Sequence, residues 1–139
     1  NVRLGDPETQ PILLRLRSDL PGLLEAALAG RLDRAQAEWD PRVALGVVLA
    51  AGGYPGAYRK GDAIEGLSQA DAPDTKVFHA GTALRDGRVV TNGGRVLCAC
   101  ALGATVAEAR EHAYALAERI HWDGVYYRRD IGHRALARS

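Results

Sequence analysis

An arginine and two carboxylates crowd a tight turn near one end of the chain, Arg3-Leu4-Gly5-Asp6-Pro7-Glu8. Carboxylate and amide oxygens suit Mg2+, and a guanidinium suits phosphate oxygens, so the group could hold a cation and its phosphate ligand. The same residues could instead serve a helix: Asp6 and Glu8 capping it and favouring its positive end, with Arg3 paired to one of them. A second constellation, Asn92-Gly93-Gly94-Arg95, sets a glycine turn beside a guanidinium. Backbone N–H groups in a concave nest next to an arginine would suit a sugar phosphate; a glycine-rich β-turn with a surface arginine is the plainer alternative. Tyr58-Arg59-Lys60-Gly61 could reach the same substrate or be a solvated basic loop.

The remaining polar and aromatic residues point less sharply. His79 alternates with Phe78 and Ala80 in an apparent strand and reads as a hydrogen-bonded sheet residue, although it could face a cleft. Cys98 and Cys100, the only cysteines, fall on one face of a strand and read as small buried hydrophobes, with no disulfide framework or zinc site implied. Trp39, Trp122, Tyr126 and Tyr127 read as packing residues, with Arg128, Arg129 and Asp130 as an ion-pair group tying down the tail.

Those residues need elements to position them. Gly5, Asp6 and Pro7 favour a turn at the end of a strand, after which apolar residues recur at helical spacing from Ile12 to Leu28. Ser18 can cap a new helix and Pro21 suits a first turn, so two short helices are expected, the second closed by Gly30. The polar stretch from Leu32 to Pro41 marks a boundary. Val43 to Ala51 then reads as a buried strand, followed by a loop of about twenty residues, long enough to suggest a functional role. Lys76 to Leu84 and Arg88 to Thr91 are predicted as strands joined at Asp86-Gly87, and Asn92-Gly93-Gly94 turns the chain into a further strand, Arg95 to Leu102. Thr105 and Glu108 form a capping box for a helix whose apolar face runs from Val106 to Ile120.

Eighteen Lys and Arg against seventeen Asp and Glu leave a net charge of +1, so no global field draws the chain to nucleic acid or an anionic membrane. With no long apolar run, a soluble cytoplasmic protein is expected. The chain has no methionine and begins at Asn1, which suggests a fragment or a processed chain.

The string Asn1-Val2-Arg3-Leu4-Gly5-Asp6-Pro7-Glu8-Thr9-Gln10 resembles the signature of glycinamide ribonucleotide synthetases, R-F-G-D-P-E-x-Q preceded by an asparagine, with Leu4 in place of phenylalanine. The resemblance continues in order through Gly53-Tyr54-Pro55, Tyr58-Arg59-Lys60-Gly61, Val77-Phe78-His79-Ala80-Gly81-Thr82, Asn92 to Leu97, and Tyr126 to Gly132. It implies an ATP-grasp ligase that uses ATP with Mg2+ or Mn2+ to join glycine to 5-phosphoribosylamine in purine synthesis. It also implies Asn1 as a metal ligand, Arg3, Asp6 and Glu8 as catalytic residues, and Arg59, Lys60, Gly93, Gly94 and Arg95 as contacts to phosphoribosylamine. The second metal ligand of the family, a glutamate two residues before the asparagine, and the elements that hold ATP would lie in an N-terminal portion of the same enzyme.

The expected fold is α+β. Residues 1–35 would be the end of an ATP-grasp core, and residues 36–139 a small domain with a largely antiparallel four-stranded sheet and one packed helix. Another ATP-grasp enzyme, and a non-catalytic packing module, are the alternatives.

Overall fold

The computed structural model describes residues 3–69 and 72–137. The apolar run after Pro41 forms β1 (Val43–Ala50), whose alternate residues Leu45, Val47 and Leu49 are buried. It is followed by β2 (Thr75–His79), β3 (Thr82–Arg85), β4 (Arg88–Thr91) and β5 (Arg95–Gly103). β5 is the central strand, antiparallel to β1 on one side and β2 on the other. It is buried from Val96 to Gly103, as expected of a strand covered on both faces.

The four-stranded sheet expected from the sequence is instead a three-stranded sheet, β1-β5-β2, with a separate hairpin, β3-β4. The predicted strand Lys76–Leu84 is broken at Ala80-Gly81. There the N–H groups of Ala80 and Gly81 bond to Val96 O and Arg95 O, while Gly81 O accepts from Asn92 N at 2.7 Å. This close backbone crossing turns the chain out of the first sheet and starts the hairpin. The turn at Asp86-Gly87 forms where expected, with φ of 48° and 75°, the two positive angles that a tight hairpin turn requires.

Helix α3 (Val106–Ala117) lies on one face of the sheet through Ala109, Ala113, Leu116 and Ala117, all buried. Thr105 Oγ accepts from Glu108 N at 3.2 Å and the Glu108 carboxylate accepts from Ala104 N at 2.7 Å, so the predicted capping residues both act. The sheet side of this contact is Leu45, Val47, Leu49, Val77, Leu97, Ala99 and Ala101. Alanines on both sides permit a short helix–sheet distance.

On the opposite face, Cys98 and Cys100 point towards Gly46 and Pro11 with their sulfurs 3.5 Å apart. Both are buried free thiols, as the sequence suggested, and the hydrogen bond to Cys98 together with burial pushes the Cys100 thiol up.

Helix α1 (Thr9–Arg15) packs over β1 and β5 with half-buried side chains, and neither it nor α2 (Leu20–Leu28) buries a residue fully. Pro21 sits in the first turn of α2 as expected, but the cap is Asp19, which accepts from Gly22 N at 2.9 Å. Ser18 Oγ is diverted to Glu38 N at 2.7 Å. No side chain caps α1.

Asp40, only 4% exposed, joins these helices to the sheet. Its carboxylate accepts from Arg17 Nη2 at 3.0 Å and from Arg42 Nε and Nη2 at 3.0 and 2.9 Å, while Arg15 donates to its carbonyl. Arg42 reaches on to Asp74 at 2.7 Å. The hydrogen bonds from Arg42 hold the Asp40 carboxyl well below the usual carboxylate range.

The tail is fixed by Trp122, which is buried, and by Tyr114 Oη, which donates to Arg128 O at 2.7 Å. Arg128 pairs with Asp130 at 2.6 Å, as expected, ahead of a short helix α4 (His133–Leu136). Trp39 and Tyr126 are 47% and 58% exposed and are not core residues. Among the described residues no helix is long and apolar enough to cross a membrane.

Candidate substrate cleft

Arg95, the first residue of β5, extends back to the turn before α1. Its Nε donates to Asp6 Oδ2 at 3.0 Å, and its Nη1 donates to Tyr54 Oη, also at 3.0 Å. The other carboxylate oxygen of Asp6 accepts from Gln10 Nε2 at 2.9 Å. Gln10 lies one helical turn beyond Asp6, a spacing that brings the two side chains together. The hydrogen bond to Asp6, with the nearby carboxylate charge, raises the Arg95 pKa and keeps the guanidinium charged.

These four side chains line an open cleft of about 560 Å3 with His79, Ala80, Gly81 and Gly94. His79 Nδ1 lies 3.1 Å from Thr82 Oγ, so it is a hydrogen-bonded strand residue that also faces the cleft. Tyr54 and Arg95 also border a smaller apolar pocket of about 250 Å3, whose walls include Gly46, Val48, Tyr126 and Ile131.

The structure joins some of the predicted site residues and separates others. Asp6, Gly94 and Arg95 meet in the cleft, with Gly93 beside it where its backbone crosses Gly81. Neither Gly93 nor Gly94 has a positive φ, so these two residues do not form a nest of alternating hand. Gly94 has a packing role in addition: a Cβ there would overlap the Tyr54 ring.

Glu8 faces a different recess, with Pro11, Ile12, Arg15 and Trp39. Arg3 is exposed. Arg59 pairs with Asp62 at 2.6 Å and Asp123 at 2.5 Å, and neither it nor the exposed Lys60 lines the cleft. Asn1, the expected metal ligand, lies outside the described residues. Among those described, no three potential ligands gather, and the Asp6 carboxylate is already shared by Arg95 and Gln10. The described residues therefore do not by themselves form a site for a divalent ion.

Sequence reasoning passed over Gln10 and Tyr54. The i, i+4 relation of Gln10 to Asp6 was a signal that could have found the first. The second had none, because its partner Arg95 is 41 residues away.

Fold and site together define a small mixed α/β domain on antiparallel strands, with an open cleft lined by the Asp6–Arg95 pair. The family model described as "Phosphoribosylglycinamide synthetase, C domain" matches residues 44–134, and the chain belongs to that family. It is 65% identical over all 139 residues to phosphoribosylamine–glycine ligase of Pseudomonas aeruginosa, of which it covers 32%. The corresponding Vibrio cholerae ligase is 62% identical over the same length, again with 32% covered. The crystal structure of the Thermotoga maritima phosphoribosylamine–glycine ligase superposes with a TM-score of 0.72 at 44% identity, covering 94% of this chain and 32% of that one. The chain thus spans about a third of the length of the curated relatives it matches.

Proposed function

We propose that the chain is the C-terminal part of an ATP-dependent ligase that joins glycine to 5-phosphoribosylamine in purine biosynthesis. The observation that carries this reading is 65% identity to such a ligase across every residue of the chain. In the reaction, ATP transfers its terminal phosphoryl group to the glycine carboxylate, leaving ADP. The amine of phosphoribosylamine then attacks the glycyl phosphate and releases phosphate. ATP and Mg2+ or Mn2+ would be held chiefly by the remaining two thirds of the enzyme, with Asn1 as a candidate ligand from this part.

The chain's own contribution is one wall for phosphoribosylamine. Arg95 uses Nε on Asp6 and one Nη1 proton on Tyr54; among the described residues its Nη2 group makes no hydrogen bond. A guanidinium held through Nε and Nη1, with Nη2 left between them, suits a phosphate oxygen, and such a charge-assisted bond contributes about 1.5–3 kcal/mol. Gly94 would shape the wall beside that phosphate by leaving room for the Tyr54 ring, with Gly93 packed against Gly81 behind it. Arg3, Glu8, Arg59 and Lys60 remain candidates for contacts completed by the rest of the enzyme.

Residues 1–35 are assigned to the close of the ATP-grasp core and residues 36–139 to the C-terminal domain. Leu24 and Leu28 of α2 are 56% and 90% exposed, which supports packing of that segment against the larger part. Two buried thiols fit a reduced cytoplasm.

A chimera tests the reading: these 139 residues replace the matching part of the P. aeruginosa ligase, and ADP release is measured with glycine and phosphoribosylamine. Activity within about tenfold of the parent is expected. A folded chimera without substrate-dependent turnover contradicts it.

A further inference from the structure

We propose that Tyr54 is a second phosphate ligand of this cleft, donating its phenolic proton to the same phosphate that Arg95 receives. The inference rests on the reading of the cleft as the phosphoribosylamine site, and comes from the direction of donation along one chain of hydrogen bonds. Gln10 Nε2 can only donate, the ionised Asp6 carboxylate can only accept, and the Arg95 guanidinium can only donate. The Tyr54 oxygen must therefore be the acceptor in its 3.0 Å bond from Arg95 Nη1. Its own proton is left over, and among the described residues none accepts it. Tyr54 and Arg95 both line the cleft, so an anion received by Arg95 Nη2 would meet the phenol on the same wall.

The ring is also held in place. Gly94 has no side chain where the Tyr54 ring passes, Tyr54 N bonds to Ala51 O, and Ala51 N bonds to Gly94 O at 2.9 Å. Tyr58 meets the ring edge-on, with centroids 6.0 Å apart. A phenol positioned by backbone and neighbouring ring loses little freedom when it binds a ligand, the condition under which one hydrogen bond counts most.

The test uses the complete ligase carrying this chain, with each substrate varied in turn. Tyr54→Phe keeps the ring and removes the proton; Gly94→Ala keeps the proton and displaces the ring; Arg95→Ala is the control for the cleft. Each is expected to raise the KM for phosphoribosylamine by about tenfold or more and to leave those for glycine and ATP within about twofold. Tyr54→Phe should also weaken inhibition by ribose 5-phosphate by a similar factor and leave inhibition by ribose unchanged.

A selective Arg95→Ala effect with an unchanged Tyr54→Phe enzyme overturns the assignment of Tyr54 while the cleft reading stands. A shift in the glycine constant alone would move the phenol to the glycine carboxylate, and equal weakening of ribose and ribose 5-phosphate would move it to the sugar; either result overturns the proposal. Equal rises in all three constants make the hydroxyl structural, with the same consequence. If Arg95→Ala itself has no selective effect, the cleft reading fails, and the proposal with it.

Discussion

One methyl group added at Gly103 probes the contact on which the fold depends. Gly103 ends β5 where α3 begins its run across the sheet, and its backbone φ is not in the left-handed region. Alanine is therefore acceptable there to the local backbone. The obstacle is space: its Cβ would overlap Ala109 N and lie 2.8 Å from both Ala109 Cα and Glu108 C. All three are backbone atoms of α3, which cannot rotate away as a side chain can, so the helix must move off the sheet. That movement loosens the contacts of Ala109 and Ala113, which are fully buried. Overpacking of this kind costs about 1–3 kcal/mol, and backbone on both sides places Gly103→Ala near the upper end.

At roughly 4 °C per kcal/mol for a chain of this size, the melting temperature of the 139-residue protein should fall by about 8–12 °C. The urea midpoint should drop by about 1 M or more. Gly87→Ala is the internal comparison. Gly87 sits at φ 75° with nothing within 4 Å, so its replacement meets only backbone strain of about 1–2 kcal/mol. Both variants are followed by circular dichroism on heating and in urea. A Gly103→Ala protein as stable as the parent, or less affected than Gly87→Ala, would refute the reasoning.

Thr105→Ala removes the side-chain acceptor for Glu108 N and should lower stability by about 1 kcal/mol, read as a modest fall in melting temperature with α3 still formed. Leu49→Ala empties a site with no solvent exposure in the three-stranded sheet; a loss of about 2–5 kcal/mol is expected in the urea titration. Asp40 has a depressed pKa, so its contribution should be fully present above about pH 4 and decline as pH falls towards the folded value. Melting temperature measured from pH 6 downward should show that acid decline, and Asp40→Asn should flatten it.

The elements that local chemistry dictates were legible in the sequence. The apolar run between Pro41 and Gly52 became β1, Thr105 and Glu108 capped α3, and Asp86-Gly87 made its turn. The break at Ala80-Gly81 was not, because residues on both sides have strand character and the cause is a backbone crossing with Asn92-Gly93. Ser18 lost the capping position to Asp19 because Glu38 N, twenty residues away, takes its hydroxyl. Asp40 lay in a stretch read only as a polar boundary; its burial depends on Arg15 of α1, Arg17 just after that helix and Arg42 just before β1.

The site divides in the same way. Asp6 and Arg95 each stood out by type and setting, but their pairing spans 89 residues and has no local signal. The separation of Glu8 from Asp6 follows from the start of α1, which turns the two carboxylates to different recesses.

The most direct test of the central claim is a crystal structure of the complete ligase carrying this chain with glycinamide ribonucleotide bound. The product's phosphate should lie on Arg95 Nη2, with an Nη2–oxygen distance of about 2.7–2.9 Å, and the Asp6 and Gln10 contacts should persist. A phosphate bound away from this cleft, with Arg95 still paired only to Asp6 and Tyr54, would contradict the account.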